Sequence, residues 1–590
     1  MGFELRLPAT VALALASAAC TALPPARTGW TIAEMFGAPQ EADAYADFLA
    51  ARYAGMTDDP VAAARFYRRA YDRAPDEPAA LERAAFATLV EGEVKAAASL
   101  AAGADPAVLA GAPFAQLAMI VDDIQKGRNE RALARLTSAR LGAINDDASR
   151  ALTAWLQART DVDAAIATTT PPAGRRRMDG EYLLVQGMIL MSAERDAEAV
   201  AKFAAARETG VRSPLGAAEH ARALTAQGDF AAAQAVLADY VDRFGSTPEI
   251  DAAAAFEADA RAGGEREPKR LTTRQGAAAA IYALSAGSVT QSNAELGSLY
   301  FSLALHLDPE LELARLGLAD ALREQDRQEA ALDVLSKVSP ASVYYAGARV
   351  EQGWMLQALD RPADALAAAD EAAALKPAGA FDRHVRQRLG ELYGALKRPD
   401  RAEALFSQVV EADSAAGKPD WRPLFQRANA REQLGRWDDA ERDLLAALNI
   451  EPDQPDVLNF LGYGWIDRGE NIDEGFRLIR KAVAERPDAG YIVDSLGWAH
   501  YRLGQYEEAV EQLERAVELS PSDPVVADHL GDAYWQAGRR IEAGYQWAKA
   551  LELKPEPALE ASLRGKAASG LSDSGRSRIA GDIDPQRTRQ

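Results

Sequence analysis

Apolar residues along this chain recur three or four positions apart, the spacing of a helix face, and no stretch sustains the two-residue alternation of a strand. The pattern is sharpest in YIVDSLGWAHYRLGQYEEAVEQLERAVELSPSD, residues 491–523. Ala509, Leu513 and Ala516 fall at i, i+4 and i+7 and share one helix face. Leu496 and Gly497 stand on the helix before it. Small Gly497 and Ala509 predict a close approach of the two helices, with Leu496 and Leu513 filling the seam between them. Leu503-Gly504 predicts the end of the first helix, because glycine accepts the left-handed conformation of a tight stop. Pro521 cannot continue the second helix and opens the connection onward.

The same string returns downstream and upstream. Leu530-Gly531 is followed by Ala543, Trp547, Ala550 and Pro555, and Leu461-Gly462 by Gly475, Ile479, Ala482 and Pro487. The glycines step by 35 and then 34 residues, near the period of about 34 of helix–turn–helix repeats. Such a unit carries apolar surface on two sides and must stack on neighbours to bury it. The string closely resembles the tetratricopeptide repeat. That resemblance implies an all-α, right-handed superhelical solenoid whose inner wall binds proteins.

Upstream the phase persists and decays. It runs through Ala428, Gly435, Ala440, Leu444 and Ala447, then Leu389-Gly390, Tyr393, Ala402 and Phe406, then Gly353, Ala365, Ala369 and Ala372. Poorer units surround Ala330, Ala233, Ala199 and Ala132, and a strong first one holds Ala63, Tyr67, Ala70 and Pro75. Between Thr272 and Pro309 the pattern blurs, although LGSLYFSLALHLDP reads as a second helix. The expected organisation is a degenerate array at 43–261, a charged linker or long loop at 262–275, a middle degenerate array at 276–417 and a well-formed array at 418–557. Residues 558–590 are expected to follow as a cap helix, starting near 556, and a polar, disordered tail. TTTPPAGRRR, residues 168–177, is a second break, read as a linker or an inter-repeat loop.

Composition narrows the function classes. Sixty-six Lys and Arg against 88 Asp and Glu leave a net charge of −22. That weighs against non-specific nucleic-acid binding, which needs cations to neutralise phosphates. Solubility of a long scaffold accounts for the acidity, with an acidic docking surface as the other reading. Five separated histidines (His220, His306, His384, His500, His529) and a single cysteine provide no metal-ligand spacing. No nucleophile elbow or phosphate-cradling loop occurs, so neither a cofactor nor an enzyme is expected. His500, one turn beyond Leu496, is expected to pack rather than to react.

Cys20 follows LPATVALALASAA, an apolar run of signal-peptide size with Arg6 ahead of it, too short for the ~20 residues of a membrane span. Three readings stand. The segment resembles a lipoprotein leader, which implies a signal peptide at 1–19, acylation of Cys20 and a linker at 20–42; Ser17 departs from the apolar residue such leaders favour. Cleavage around Ala16-Ser17-Ala18 with release of a soluble protein is the second, and an ordinary cytosolic leader the third.

In tetratricopeptide repeats the first helix of each pair lines the groove, at about its second, fifth, ninth and twelfth positions. The resemblance places Asp456, Asn459, Tyr463 and Ile466 there, then Tyr491, Asp494, Trp498 and Tyr501, then Val525, Asp528, Asp532 and Trp535. This implies an aromatic, acidic strip for a partner segment pairing Lys or Arg with apolar residues. The basic clamp of chaperone-binding members is not matched, since Asp494 and Asp528 stand where Lys is wanted. Leader, array and the wording of residues 455–550 together resemble bacterial outer-membrane tetratricopeptide lipoproteins. Among these are adaptors that activate a periplasmic carboxy-terminal processing protease and deliver its cell-wall hydrolase substrates. The expectation is a non-catalytic envelope adaptor, with membrane contact only through the lipid anchor. An assembly factor for pilus, secretin or polysaccharide-export machinery is the alternative.

Overall fold

A computed structural model describes residues 40–57, 59–170, 179–289, 293–375 and 381–571. The leader with Cys20, the end of the polar tail and most of the 168–177 break lie outside the described residues. Among the described residues thirty-one α-helices follow one another and no strand occurs. The chain divides into two units: one comprises the described residues through Ala348, the other those from Arg349 on, with Phe381 grouped in the first. The boundary therefore falls at 348/349; residues 262–275 and 417/418 are not boundaries between the units.

In the second unit the pairs read Phe381–Ala395 with Pro399–Ala415, Trp421–Gln433 with Trp437–Ile450, and Pro455–Arg468 with Ile472–Glu485. Gly490–Arg502 with Tyr506–Leu519 and Pro524–Gln536 with Arg540–Glu552 complete the series, and Pro557–Ser569 closes it. Local chemistry starts and stops each helix. Asp523 accepts from the Val525 amide at 2.8 Å with Pro524 in the first turn, and Gly504 turns the corner at φ +73°. Within a pair, glycine lets a bulky residue of the second helix lie against the first. A Cβ on Gly497 would meet Leu513 at 2.5 Å, and one on Gly531 would meet Trp547 at 2.5 Å. The same sixteen-residue offset sets Gly187 against Phe203 and Gly390 against Phe406. Leu513 and Trp547 are fully buried, which stabilises each seam by roughly 2–3 kcal/mol.

The first unit begins with similar hairpins, from Gln40–Met56 with Pro60–Arg73 onward, and then departs from neighbour-only stacking. Ala294–Leu307 packs on Pro78–Val90 and Pro113–Gln125, and Thr273–Val289 packs on Asp146–Gln157. The Tyr300 hydroxyl lies 2.7 Å from the Ile144 carbonyl and 2.9 Å from Asn145 Oδ1, and Arg327 pairs with Glu91 at 2.8 Å. Consequently Ala294–Leu307 is buried nearly all round, from Gly297 through Ala304. A helix apolar on every side has no amphipathic phase, which is why the pattern blurs there. Residues 262–272 are an irregular loop inside this unit, tied down where Arg270 pairs with Asp196 at 2.5 Å.

Candidate partner-binding groove

The strip expected at 459–535 is present on the first helices, but most of it is used by the protein itself. Tyr491 is 44% exposed, and its hydroxyl donates to Asp456 while receiving a bond from Arg486 at 2.6 Å. Burial, then the bond to Asp456, pushes its pKa up to about 12. Asp494 is buried against His529, 2.9 Å from Nδ1. Asp528 and Asp532 are buried and both receive Lys566 of the closing helix, at 2.7 and 2.8 Å. Trp547 Nε1 also donates to Asp532 at 3.0 Å.

These pairs form a ladder in which a carboxylate of one first helix meets the next repeat: Asp456 to Tyr491, Asp494 to His529, Asp528 to Lys566. The expectation of free acidic charges facing a basic partner is corrected, because the stacking of repeats satisfies them from within. Burial is the dominant effect on Asp532, and with the neighbouring Asp528 charge it raises the carboxyl to about 6. For His529 burial is the largest effect and pulls the pKa down, but the charge and hydrogen bond of Asp494, with the charges of Asp528 and Asp532, together outweigh it and hold the ring above its ordinary value.

The aromatics divide similarly. Trp498 is stacked between Tyr501 (4.7 Å, 14°) and His529 (4.2 Å, 22°), and Tyr501 is itself buried. Trp535 tilts on Trp547 at 5.5 Å and lies beneath Gly570, where a Cβ would come within 2.0 Å of its ring. Tyr463 is half-buried, its pKa pushed up to about 12 by desolvation, and Asn459 is half-buried with Oδ1 unpartnered. Ile466 is buried, and Val525 is 43% exposed. His500 packs edge-on to Phe476 at 4.9 Å and bonds Gln505 at 2.7 Å, a packing role.

An open groove lies upstream in the same unit, which the sequence reading did not single out. It holds about 440 Å³ of solvent space and is lined by Trp354, Glu391, Gly394, Gln426, Asn429 and Gln433, among others. Each of Trp354, Glu391 and Asn429 follows the small residue of its first helix (Gly353, Gly390, Ala428), the place held downstream by Tyr463, Trp498 and Asp532. The signal was thus present in the register. At Gly394 an added Cβ would meet nothing within 4 Å, so the floor is open. Trp354 Nε1 is buried with no acceptor, and Asn429 Oδ1 accepts from Gln433 Nε2 at 2.5 Å. Glu391 is held by Arg388 at 3.0 Å. Amide and carboxylate side chains above a small-residue floor suit the backbone of an extended peptide.

Residues 388–455 match the family model described as Tetratricopeptide repeat, and 497–538 the one described as TPR repeat. Those two stretches are tetratricopeptide repeats, and the helical hairpins of the described residues have the fold of such repeats. A curated TPR repeat-containing protein of Pseudomonas aeruginosa is 28% identical over 203 residues, covering 34% of this chain and 33% of the relative. The chain thus spans about a third of the length of the curated relative it matches. Among solved structures, a tetratricopeptide repeat protein from Parabacteroides merdae is 14% identical with a TM-score of 0.38, over 43% of this chain and 97% of that one. The Cut9–Hcn1 complex of the APC/C is 14% identical with a TM-score of 0.35, over 89% of this chain and 96% of that one.

Proposed function

We propose that this protein is a non-catalytic adaptor of the bacterial cell envelope that holds an extended segment of a protein partner against its first helices. The observation that carries the reading is the open groove lined by Trp354, Glu391, Gln426 and Asn429, above the empty space at Gly394. The resemblance to outer-membrane lipoproteins supplies the candidate partners, a periplasmic processing protease and its cell-wall hydrolase substrates. Joining two proteins on one scaffold raises their local concentration without new chemistry. Tyr491, the most exposed of the expected strip residues, and half-buried Tyr463 and Trp498 extend the contact downstream.

The test is affinity capture from envelope extract with the full chain and with a Gln426→Lys/Asn429→Lys variant, read by mass spectrometry. Both positions line the groove without being buried, so helical content is expected to be unchanged. Recovery of a protease and its substrates with the native chain, and their loss with the variant, is the expected result. Equal recovery with both discards the groove. Anchoring is tested separately: Cys20→Ser is expected to move the protein from the membrane to the soluble fraction, and retention in the membrane discards acylation.

A further inference from the structure

The first described helix, Gln40–Met56, is apolar on two opposite faces. Ala44, Ala51 and Ala54 are buried on the side that packs on Pro60–Arg73. On the other side Tyr45, Leu49, Tyr53 and Met56 are 64, 47, 70 and 78% exposed, and Val61 on the next helix is 61% exposed. At 100° per residue those four helix positions fall within an arc of about 80°, a continuous ridge. Five of the fourteen large exposed hydrophobics among the described residues therefore lie within residues 45–61. By contrast, the closing helix Pro557–Ser569 buries Leu563 and turns Ser562 and Arg564 outward. A repeat array needs such a polar face at each end. Among the described residues no further helix covers the outer face of Gln40–Met56.

The ridge is symmetric about its centre. Tyr45 and Tyr53 stand four residues either side of Leu49, so an antiparallel copy centred on Leu49 sets each Tyr45 against the partner's Tyr53. The one acid in the middle of the helix, Asp47, is buried and paired with Arg69 at 3.1 Å and with Arg73, so it brings no like charge to the contact. Arg52 is exposed at the ridge's edge, one position from the dyad mate of Tyr45. The five exposed side chains offer on the order of 600 Å² per copy, or ~1,200 Å² in all, the lower range of a stable interface. We infer that this face is the twofold interface of a homodimer, formed by antiparallel packing of Gln40–Met56 against the same helix of a second copy. Tyrosines supply the area with little rotamer entropy lost, and the isologous geometry closes the assembly at two.

The test uses the full chain carrying Cys20→Ser, which removes the single native cysteine. Light scattering over the micromolar range is expected to give twice the 63.2 kDa chain mass. Leu49→Glu, at the dyad, is expected to weaken association at least ~20-fold with unchanged helical content, since Leu49 makes an exposed ridge. Leu49→Cys is expected to form an intermolecular disulfide on mild oxidation. Tyr45→Cys alone is expected not to, whereas a mixture of Tyr45→Cys and Tyr53→Cys chains is expected to cross-link. Each of the following overturns the inference: a monomer at every concentration with no Leu49→Cys cross-link, cross-linking of Tyr45→Cys to itself, or a ridge protected from hydrogen exchange in the monomer. Vesicle binding that the ridge variants abolish, in a chain that stays monomeric, overturns it as well.

Discussion

The two units use the same hairpins and hold them together differently. In the second, stabilising pairs mostly join residues within about one repeat, as in Asp494 with His529, thirty-five apart, and Tyr534 with Glu514, twenty apart. In the first, Tyr300 reaches Asn145 across 155 residues and Arg327 reaches Glu91 across 236. A nearest-neighbour array spreads its stability over equivalent seams, and each seam repeats the same spacing. A chain that returns on itself needs particular residues at particular places and so gives up the repeat's wording. Regularity in sequence therefore reports local packing, and its loss at 272–309 reports long-range packing.

The largest effects should separate these regimes. Phe301→Ala and Trp547→Ala each remove a buried aromatic, at a cost of about 3–5 kcal/mol. By hydrogen exchange, Phe301→Ala is expected to expose Pro78–Val90 as well as its chain neighbours. Trp547→Ala is expected to expose only the hairpins beside it. Matching patterns would erase the distinction.

Lys566→Met tests the seam at the end of the second unit. It leaves Asp528 and Asp532 buried without their cation, an effect of about 2–4 kcal/mol on the closing helix. The same seam has a pH signature. Asp532, held at about 6 and so above its unfolded value of 3.8, stabilises the folded state below that range and loses the contribution as pH rises through about 6. His529, held above 6.5 by Asp494, likewise contributes below its unfolded value and loses it as pH climbs further. Exchange at Pro557–Ser569 is therefore expected to be slower at pH 5 than at pH 8 after correction for intrinsic rates. The reverse order would show that other groups dominate.

Smaller effects refine the contrast. Tyr300→Phe removes the one O–H that the Ile144 carbonyl and Asn145 Oδ1 share, for about 1–2 kcal/mol by denaturant unfolding, confined to the first unit. Asp360 turns a helix corner at φ +55°, where Gly504 and Gly538 serve in regular repeats. Asp360→Gly is expected to raise stability by about 0.5 kcal/mol, relief of left-handed strain partly offset by unfolded-chain entropy. A loss would mean that the aspartate has a local use.

That last residue shows why part of the array was hard to read. Glu194, Asp326, Asp360 and Lys397 all adopt the positive φ of the hairpin corner without being glycine, so the usual punctuation is missing while the turn is kept. The inverse occurs at Phe301, which lies against Gly317: the bulky residue is on the earlier helix and the glycine on the later. The candidate site was partly legible too. Register placed Trp498 and Asp532 on the first helices, and the same register holds Trp354, Glu391 and Asn429. Whether such a position opens to solvent depends on what the next repeat puts beside it. His529 and Lys566 close the downstream positions, and Gly394 leaves the upstream one open.

The sequence by itself determined the unit of construction: two helices, a corner, a proline, and small residues where the two helices approach. Those are short-range matters of backbone freedom and side-chain volume, and they are written where they act. Only the tertiary structure decided which carboxylates are spent, which aromatics are stacked, and that Ala294–Leu307 packs back on Pro78–Val90. Such contacts join residues brought together by accumulated rotation of many hairpins, and no local pattern encodes that sum.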